Sequence, residues 1–527
     1  MKLISKLVAG LVVPVLTLAG CASGEDVEIA SPTPEATSTQ DAAVDQAVED
    51  CDTPEVDPMG LAPNANWNEF LATCPTDKTT PEPALTAVSF SNDLEPCMLL
   101  EDNADRRRYQ DNTTGFPRAT DPYRLPDGDY KVMVIPVDWP DLKDDADPAS
   151  FLTEATELYP EWLETYSRGK VNLSLELYPD WITLDSESKY FSQSESDQVN
   201  GQWSDLNRNK VTFFWTEALK AADPYVDFTD VEIVMFILPR FQNVIAEFNL
   251  WPPGTGTYQT DEGPISRGFT PGSFQFRSDQ ELWAFWAHET MHYFNMPDLY
   301  WVDQGSTEKP TFNRYTYPAA IYAYDMMAGS SMRSLSTWLL WLLGWAEDSE
   351  LTCLTEDSFQ DSSFEIYSND NANPETKAVM IKLSDHQLLI VESRRKTKFD
   401  AEFARSRDGV MVSLVDTTIP HGQGAITLIA PSGRGLVQAQ WPGGETDVPY
   451  LDAILYEGNF IDIAGYHISV NQAKAESDIV SVSRISDWSP EAAPDYVCLT
   501  KENREFGPNN TQSIGCPLVL PNTPVSQ

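Results

Sequence analysis

Apolar and polar positions follow two different rhythms along this chain, and the change of rhythm divides it. From residue 129, "DYKVMVIPVDW" is an almost unbroken apolar run, as expected of a buried strand. "PASFLTEATELYPEWLETYS" repeats its apolar residues every three or four positions, which predicts a helix, and "KVNLSLELYPDWITL" alternates residue by residue, which predicts strand. A mixed stretch, "WSDLNRNKVTFFWTEALKAADPYV", leads to a second apolar strand, "VEIVMFILP" at 231–239. This order of elements is that of an α/β fold.

Beyond residue 350 the helical rhythm fades. "KAVMIKLS", "QLLIVESRR", "GVMVSLVDT", "GAITLIAP", "YHISVNQ" and "DIVSVSRIS" are short, rich in β-branched residues and separated by turn formers, which predicts an all-β sandwich or barrel. The pattern therefore suggests an α/β (α+β) domain over 129–350 and a sandwich-like β domain over 351–527. "STWLLWLLGW" at 336–345 is apolar nearly all round, and at half the length of a bilayer span it reads as a buried helix.

The first 128 residues follow neither rhythm. Residues 1–21 have a basic start, an apolar run and then Leu18-Ala19-Gly20-Cys21, which resembles a bacterial lipobox with Cys21 as the lipidated residue. The expected location is thus the outer side of a cell membrane, held by a lipid anchor, and ordinary secretion with cleavage near Ala22 is the alternative. Residues 22–50 are rich in Ser, Thr, Pro and acids and read as a disordered tether. Residues 51–128 form a Pro- and Asp-rich extension with three cysteines, of a kind that can serve as a pro-segment. With Cys21 set aside, six of the seven cysteines remain, an even set compatible with three disulfides in an oxidising compartment, and free thiols are the alternative.

Charge narrows the partners. With 81 acidic against 35 basic side chains, the net charge of −46 speaks against nucleic acid or any other polyanion. The acidic run "DWPDLKDDADP" at 138–148 leaves Ca²⁺ open as a ligand, but it lacks the regular ligand spacing and central Gly of an EF-hand.

The chain has only five histidines, and two of them stand four apart in "WAHETMHYFNMPDLYW" at 286–301. Ser278-Asp279-Gln280-Glu281 has the form of a capping box, which predicts a helix from about residue 279 onward. On a helix His288 and His292 share one face, one turn apart, where two imidazoles can bind one Zn²⁺ while Glu289 leans towards its water. The competing reading is a core helix carrying three polar residues. It would leave two imidazoles and a carboxylate buried among Leu282, Trp283, Phe285 and Trp286, and a metal satisfies them. Asn295 tolerates a left-handed backbone and Pro297 forbids further helix, so the chain can turn back and offer Asp298 as third ligand. Asp303 is the other nearby acid.

"HETMHYFNMPDLY", followed about thirty residues later by "AYDMMAGSSM", resembles the immune inhibitor A-like family of secreted bacterial zinc metallopeptidases, with its HExxHxxGxPDxY motif and later Met-turn. The likeness spans about 129–480 and is strongest over 281–345. It departs at Asn295 (usually Gly), at Thr290-Met291 (usually an aromatic-Gly pair) and at Tyr324 (usually Trp).

The resemblance implies a zincin- or metzincin-like catalytic domain. His288, His292 and Asp298 would be its ligands, Glu289 the general base and Met327 the Met-turn residue. Tyr300 and Tyr324 are oxyanion candidates that also read as packing aromatics, and Asp325 is a candidate acceptor supporting the Met-turn or a ligand His. The expected function is a membrane-anchored, extracellular zinc endopeptidase acting on protein or peptide. The alternative is a surface binding module on an impaired peptidase scaffold, recognising protein or glycan.

Overall fold

Side chains of the strand β1 (Gly128–Asp138) point alternately into two different cores, and this alternation organises the α/β part of the chain. The computed structural model describes residues 80–90, 93–101, 113–118 and 125–192, and from 198 to 498 all but short segments, the longest being 300–320. Val132 and Val134 pack with the helix α1 (Ala149–Ser167), whose buried stripe is Leu152, Ala155, Tyr159, Trp162, Leu163 and Tyr166. Met133, Ile135 and Val137 pack on the opposite face with Phe214, Trp215 and Ala218 of α2 (Asp205–Ala222). A strand covered on both sides must be apolar at every position, which is why β1 reads as a continuous run.

β2 (Val171–Leu177) and β4 (Ile233–Ile237) flank β1 in parallel, and β3 (Ile182–Thr183) pairs with its far end. β6 (Gly268–Thr270) continues the sheet parallel to β4, and β5 (Phe248–Asn249) closes the path as an antiparallel strand. Gly268 has no alternative, because a Cβ there would lie 2.3 Å from the Val234 carbonyl and 2.5 Å from the Trp215 ring.

The β-rich part is a pair of sheets sharing a core. The larger has the order β7 (Leu351–Leu354), β9 (Ala378–Lys382), β10 (Gln387–Arg394), β11 (Gly409–Asp416), β12 (Ile426–Pro431) and β16 (Tyr496–Cys498). The smaller pairs β8 (Ser362–Tyr367), β15 (Ser477–Arg484), β14 (Tyr466–Ala473) and β13 (Phe460–Ile463). Val379, Ile381, Leu389, Val391, Val412 and Leu414 meet Ile461, Ile468, Val470, Val480 and Val482 between the sheets, an inner layer as in a sandwich.

The alternate residues Ala378, Met380, Leu388, Ile390, Met411 and Leu428 face the other way and join the core that holds α1. The change at residue 350 is therefore one of secondary structure, while the packed core continues across it. Among the described residues, no helix is long and apolar enough to cross a membrane.

The N-terminal extension is built into this body. Leu94, Cys97 and Leu99 are buried in the same core, and Cys97 is disulfide-bonded to Cys353 on β7. Upstream, the Leu85 and Val88 amides donate to Ser481 and Ser362 of the smaller sheet, at 3.1 and 2.8 Å. Cys21, Cys51, Cys74 and Cys516, with the signal, tether and lipidation expectations, lie outside the described residues.

Candidate metal centre

The helix α3 (Leu282–Tyr293) buries Trp283, Ala284, Phe285, Trp286, Ala287, Met291 and Tyr293, so its polar residues stand out. It starts later than the capping-box pattern suggests. Glu281, expected inside the first turn, is itself the N-cap, with extended backbone (ψ 135°), and makes no side-chain cap. Its carboxylate accepts instead from Arg333 at 3.4 Å, while its carbonyl takes the Ala284 and Phe285 amides. Thr290 locks α3 to α1: its hydroxyl donates to the Trp286 carbonyl at 2.8 Å and lies 2.7 Å from the Tyr159 hydroxyl.

The helix stops where the sequence suggests. Asn295 takes φ 68°, left-handed, and the Met296 amide reaches back to the Met291 carbonyl at 2.9 Å, the long bond of a Schellman-type end. From outside, Thr113 N donates to the Asn295 carbonyl at 3.0 Å and Arg118 to the Phe294 carbonyl at 3.1 Å. The turn is thus gripped by the N-terminal extension, and it delivers Asp298 back to the histidine face of α3.

There the side chains converge. Asp298 Oδ1 lies 3.2 Å from His288 Nε2 and 3.0 Å from His292 Nε2. The opposite ring nitrogens are both engaged by backbone carbonyls: His288 Nδ1 with Met326 at 3.0 Å, and His292 Nδ1 with Met296 at 2.9 Å. A carbonyl can only accept, so each Nδ1 carries a proton and each Nε2 faces the shared space, where it can ligate a metal once it carries no proton of its own. Only 12% and 16% of the two histidine side chains is exposed, and Glu289 is buried beside them.

This is a site that lacks positive charge. Burial disfavours protonation of His292, yet the charge and hydrogen bond of Asp298, helped by Glu289, outweigh it and push its pKa up to about 10. A metal ion answers the same demand. The ligand atoms of His288, Glu289 and His292 lie within 4.8 Å of one another and could hold a metal ion; they are the one such group among the described residues.

The methionine segment lies against this face. Met326–Ala328 forms a single 3-10 turn whose residues are buried, and the Leu299 amide donates to the Met327 carbonyl at 2.8 Å. Asp325 is fully buried and, among the described residues, binds no histidine: Oδ1 accepts the Met327 amide at 2.8 Å and Oδ2 the Ser336 amide at 2.5 Å. Burial pushes its carboxyl up to about 6 despite those two bonds. Tyr324 is buried with its amide on the Ile321 carbonyl. Tyr300 and Asp303 lie outside the described residues.

Sequence reasoning missed the two carbonyls, Met326 and Met296, that orient the histidines, since any residue type supplies a carbonyl. Three residues of the acidic run have protein partners: Asp138 pairs with Lys143, Asp144 with Arg240 and Asp141 with Ser188. No family model matches the chain, and no curated protein is significantly similar to it.

Proposed function

We propose that the chain is a zinc-dependent endopeptidase, with His288, His292 and Asp298 as ligands and Glu289 as general base. The observation that carries this reading is the convergence of two Nε2 atoms on one Asp298 oxygen at 3.0 and 3.2 Å. Ligands about 2.0–2.2 Å from a tetrahedral zinc ion stand about 3.3–3.5 Å apart, so the donors are close to the needed spacing. Three protein donors also leave one position open, as catalytic zinc requires.

When bound, zinc would lower the pKa of water and polarise a peptide carbonyl. Glu289, buried beside the histidines, would accept the proton of the attacking water and return it to the leaving amine. The carbonyls of Met326 and Met296 keep both imidazoles in the metal-binding tautomer throughout. The resemblance of "HETMHYFNMPDLY" and "AYDMMAGSSM" to immune inhibitor A-like peptidases, with the zincin-like fold it implies, supports the same reading. The buried Glu289 weighs against a non-catalytic binding module, which needs no base.

We place the working site outside the cell. The export-like N-terminus and the Cys97–Cys353 disulfide both fit an oxidising compartment.

The test is hydrolysis of an unfolded protein by the full chain and by Glu289→Ala, with zinc content measured on both. The expected result is one zinc per chain in each and hydrolysis by the wild type only. Equal hydrolysis by the variant, or a wild type without zinc, would refute the proposal.

A further inference from the structure

β10 is apolar along "LLIV" and then carries Glu392 and Arg394, both buried and paired at 3.1 Å. A buried ion pair is a poor device for stability, because desolvating two charges offsets most of their attraction and apolar residues would fill the same space as well. Its partners suggest another use. Arg394 donates to the Ser334 hydroxyl and to the Leu335 carbonyl, the latter at 3.2 Å. Glu392 Oε2 accepts from the Thr337 amide at 2.8 Å, from the Thr337 hydroxyl, and from Asn369 Nδ2 at 3.3 Å. Asn369 Nδ2 also donates to the Leu335 carbonyl at 3.0 Å. Residues 334–337 are therefore fixed from the β-rich side.

The opposite side of that segment holds the methionine turn. The Met326 amide donates to the Ser334 carbonyl at 2.9 Å, and Ser336 N donates to Asp325, which in turn accepts from Met327 N. Met326 then accepts the proton of His288 Nδ1 at 3.0 Å. Hydrogen bonds, joined through short stretches of backbone, link Arg394 to His288.

We infer that Glu392 and Arg394 are positioning residues for the metal site: the pair sets the height of 334–337, which sets the Met326 carbonyl, which sets the orientation and tautomer of His288. The inference rests on the metal reading above. It assigns to the β-rich region a role in metal binding that the ligand motif does not contain.

The experiment is zinc affinity of the metal-free full chain, measured by competition with a chromogenic chelator and set beside the melting temperature. Arg394→Lys keeps the charge and loses the planar fork. Arg395→Lys is the control, because Arg395 pairs with Asp478 at 2.9 Å and makes none of the contacts to residues 334–337.

Both variants are expected to melt lower. Arg394→Lys is expected to bind zinc at least about tenfold more weakly, the size typical of a lost supporting contact, and the control within about twofold of wild type. If Arg394→Lys does not fold, Ser334→Ala, which leaves the ion pair intact, is measured in its place with the same expectation.

Wild-type affinity in the Arg394 or Ser334 variant, or an equal loss in the control, overturns the inference and leaves the metal reading standing. A wild type that binds no zinc removes both.

Discussion

Asp298 reaches back across a left-handed turn to stand 3.0 Å from Nε2 of His292. The contact carries a pH dependence whose sign is fixed. The ordinary His292 value of 6.5 is raised to about 10 in the folded chain, so without metal the contact stabilises fully below about pH 6.5 and is lost as pH rises towards 10. Urea unfolding of metal-free wild type and Asp298→Asn should therefore differ most near pH 6 and converge near pH 10, on this linkage argument. A gap that stays constant across that range would contradict it.

Zinc competes with that proton. Binding near pH 7 should release about one proton, detectable as a dependence of calorimetric heat on the buffer's ionisation enthalpy. Asp298→Ala should bind zinc far more weakly than wild type, by more than the ~10–100-fold that loss of a supporting group costs. An affinity within that smaller range would demote Asp298 from ligand to neighbour.

Asp325 is, among the described residues, the acceptor of two buried amides, Met327 and Ser336. Asp325→Ala leaves both unpaired, at about 1–3 kcal/mol each, and should lower stability by about 2 kcal/mol or more. Denaturant midpoints at constant slope measure this. Asp325→Asn keeps an acceptor for only one amide and should fall between.

Asn295 holds φ 68° at the point where the helix must end. Asn295→Gly should leave stability within a few tenths of a kcal/mol of wild type, whereas Asn295→Val should cost about 1–2 kcal/mol because a branched side chain is strained there. Thermal melts of the three proteins decide it, and a valine variant as stable as glycine would show that the turn is set elsewhere.

Cys97 and Cys353 are 256 residues apart, so their bond closes a long loop. Replacing both by Ala should cost about 2–5 kcal/mol and loosen the segment that grips Phe294 and Asn295. Hydrogen exchange at the Thr113 amide, bonded to the Asn295 carbonyl, should then quicken.

Periodicity made most elements legible, because helices and strands here are half or fully buried and burial is what the apolar pattern records. Asn295 and Pro297 disclosed the turn through backbone sterics alone. The start of α3 was obscured because Glu281, a capping residue by pattern, is claimed by Arg333, a partner 52 residues away. The orienting carbonyls could not be read at all. Glu392 and Arg394 are visible as charges ending an apolar strand, but only the fold shows that they hold residues 334–337, the segment behind the methionine turn.

The six-stranded sheet is packed on both faces, with β10 and β11 buried at every position. Cutting the chain between residues 350 and 351 would uncover an apolar wall on each piece. Neither half is thus a cassette that can be exchanged, trimmed or expressed by itself, and attempts to isolate the histidine-bearing portion should yield aggregates.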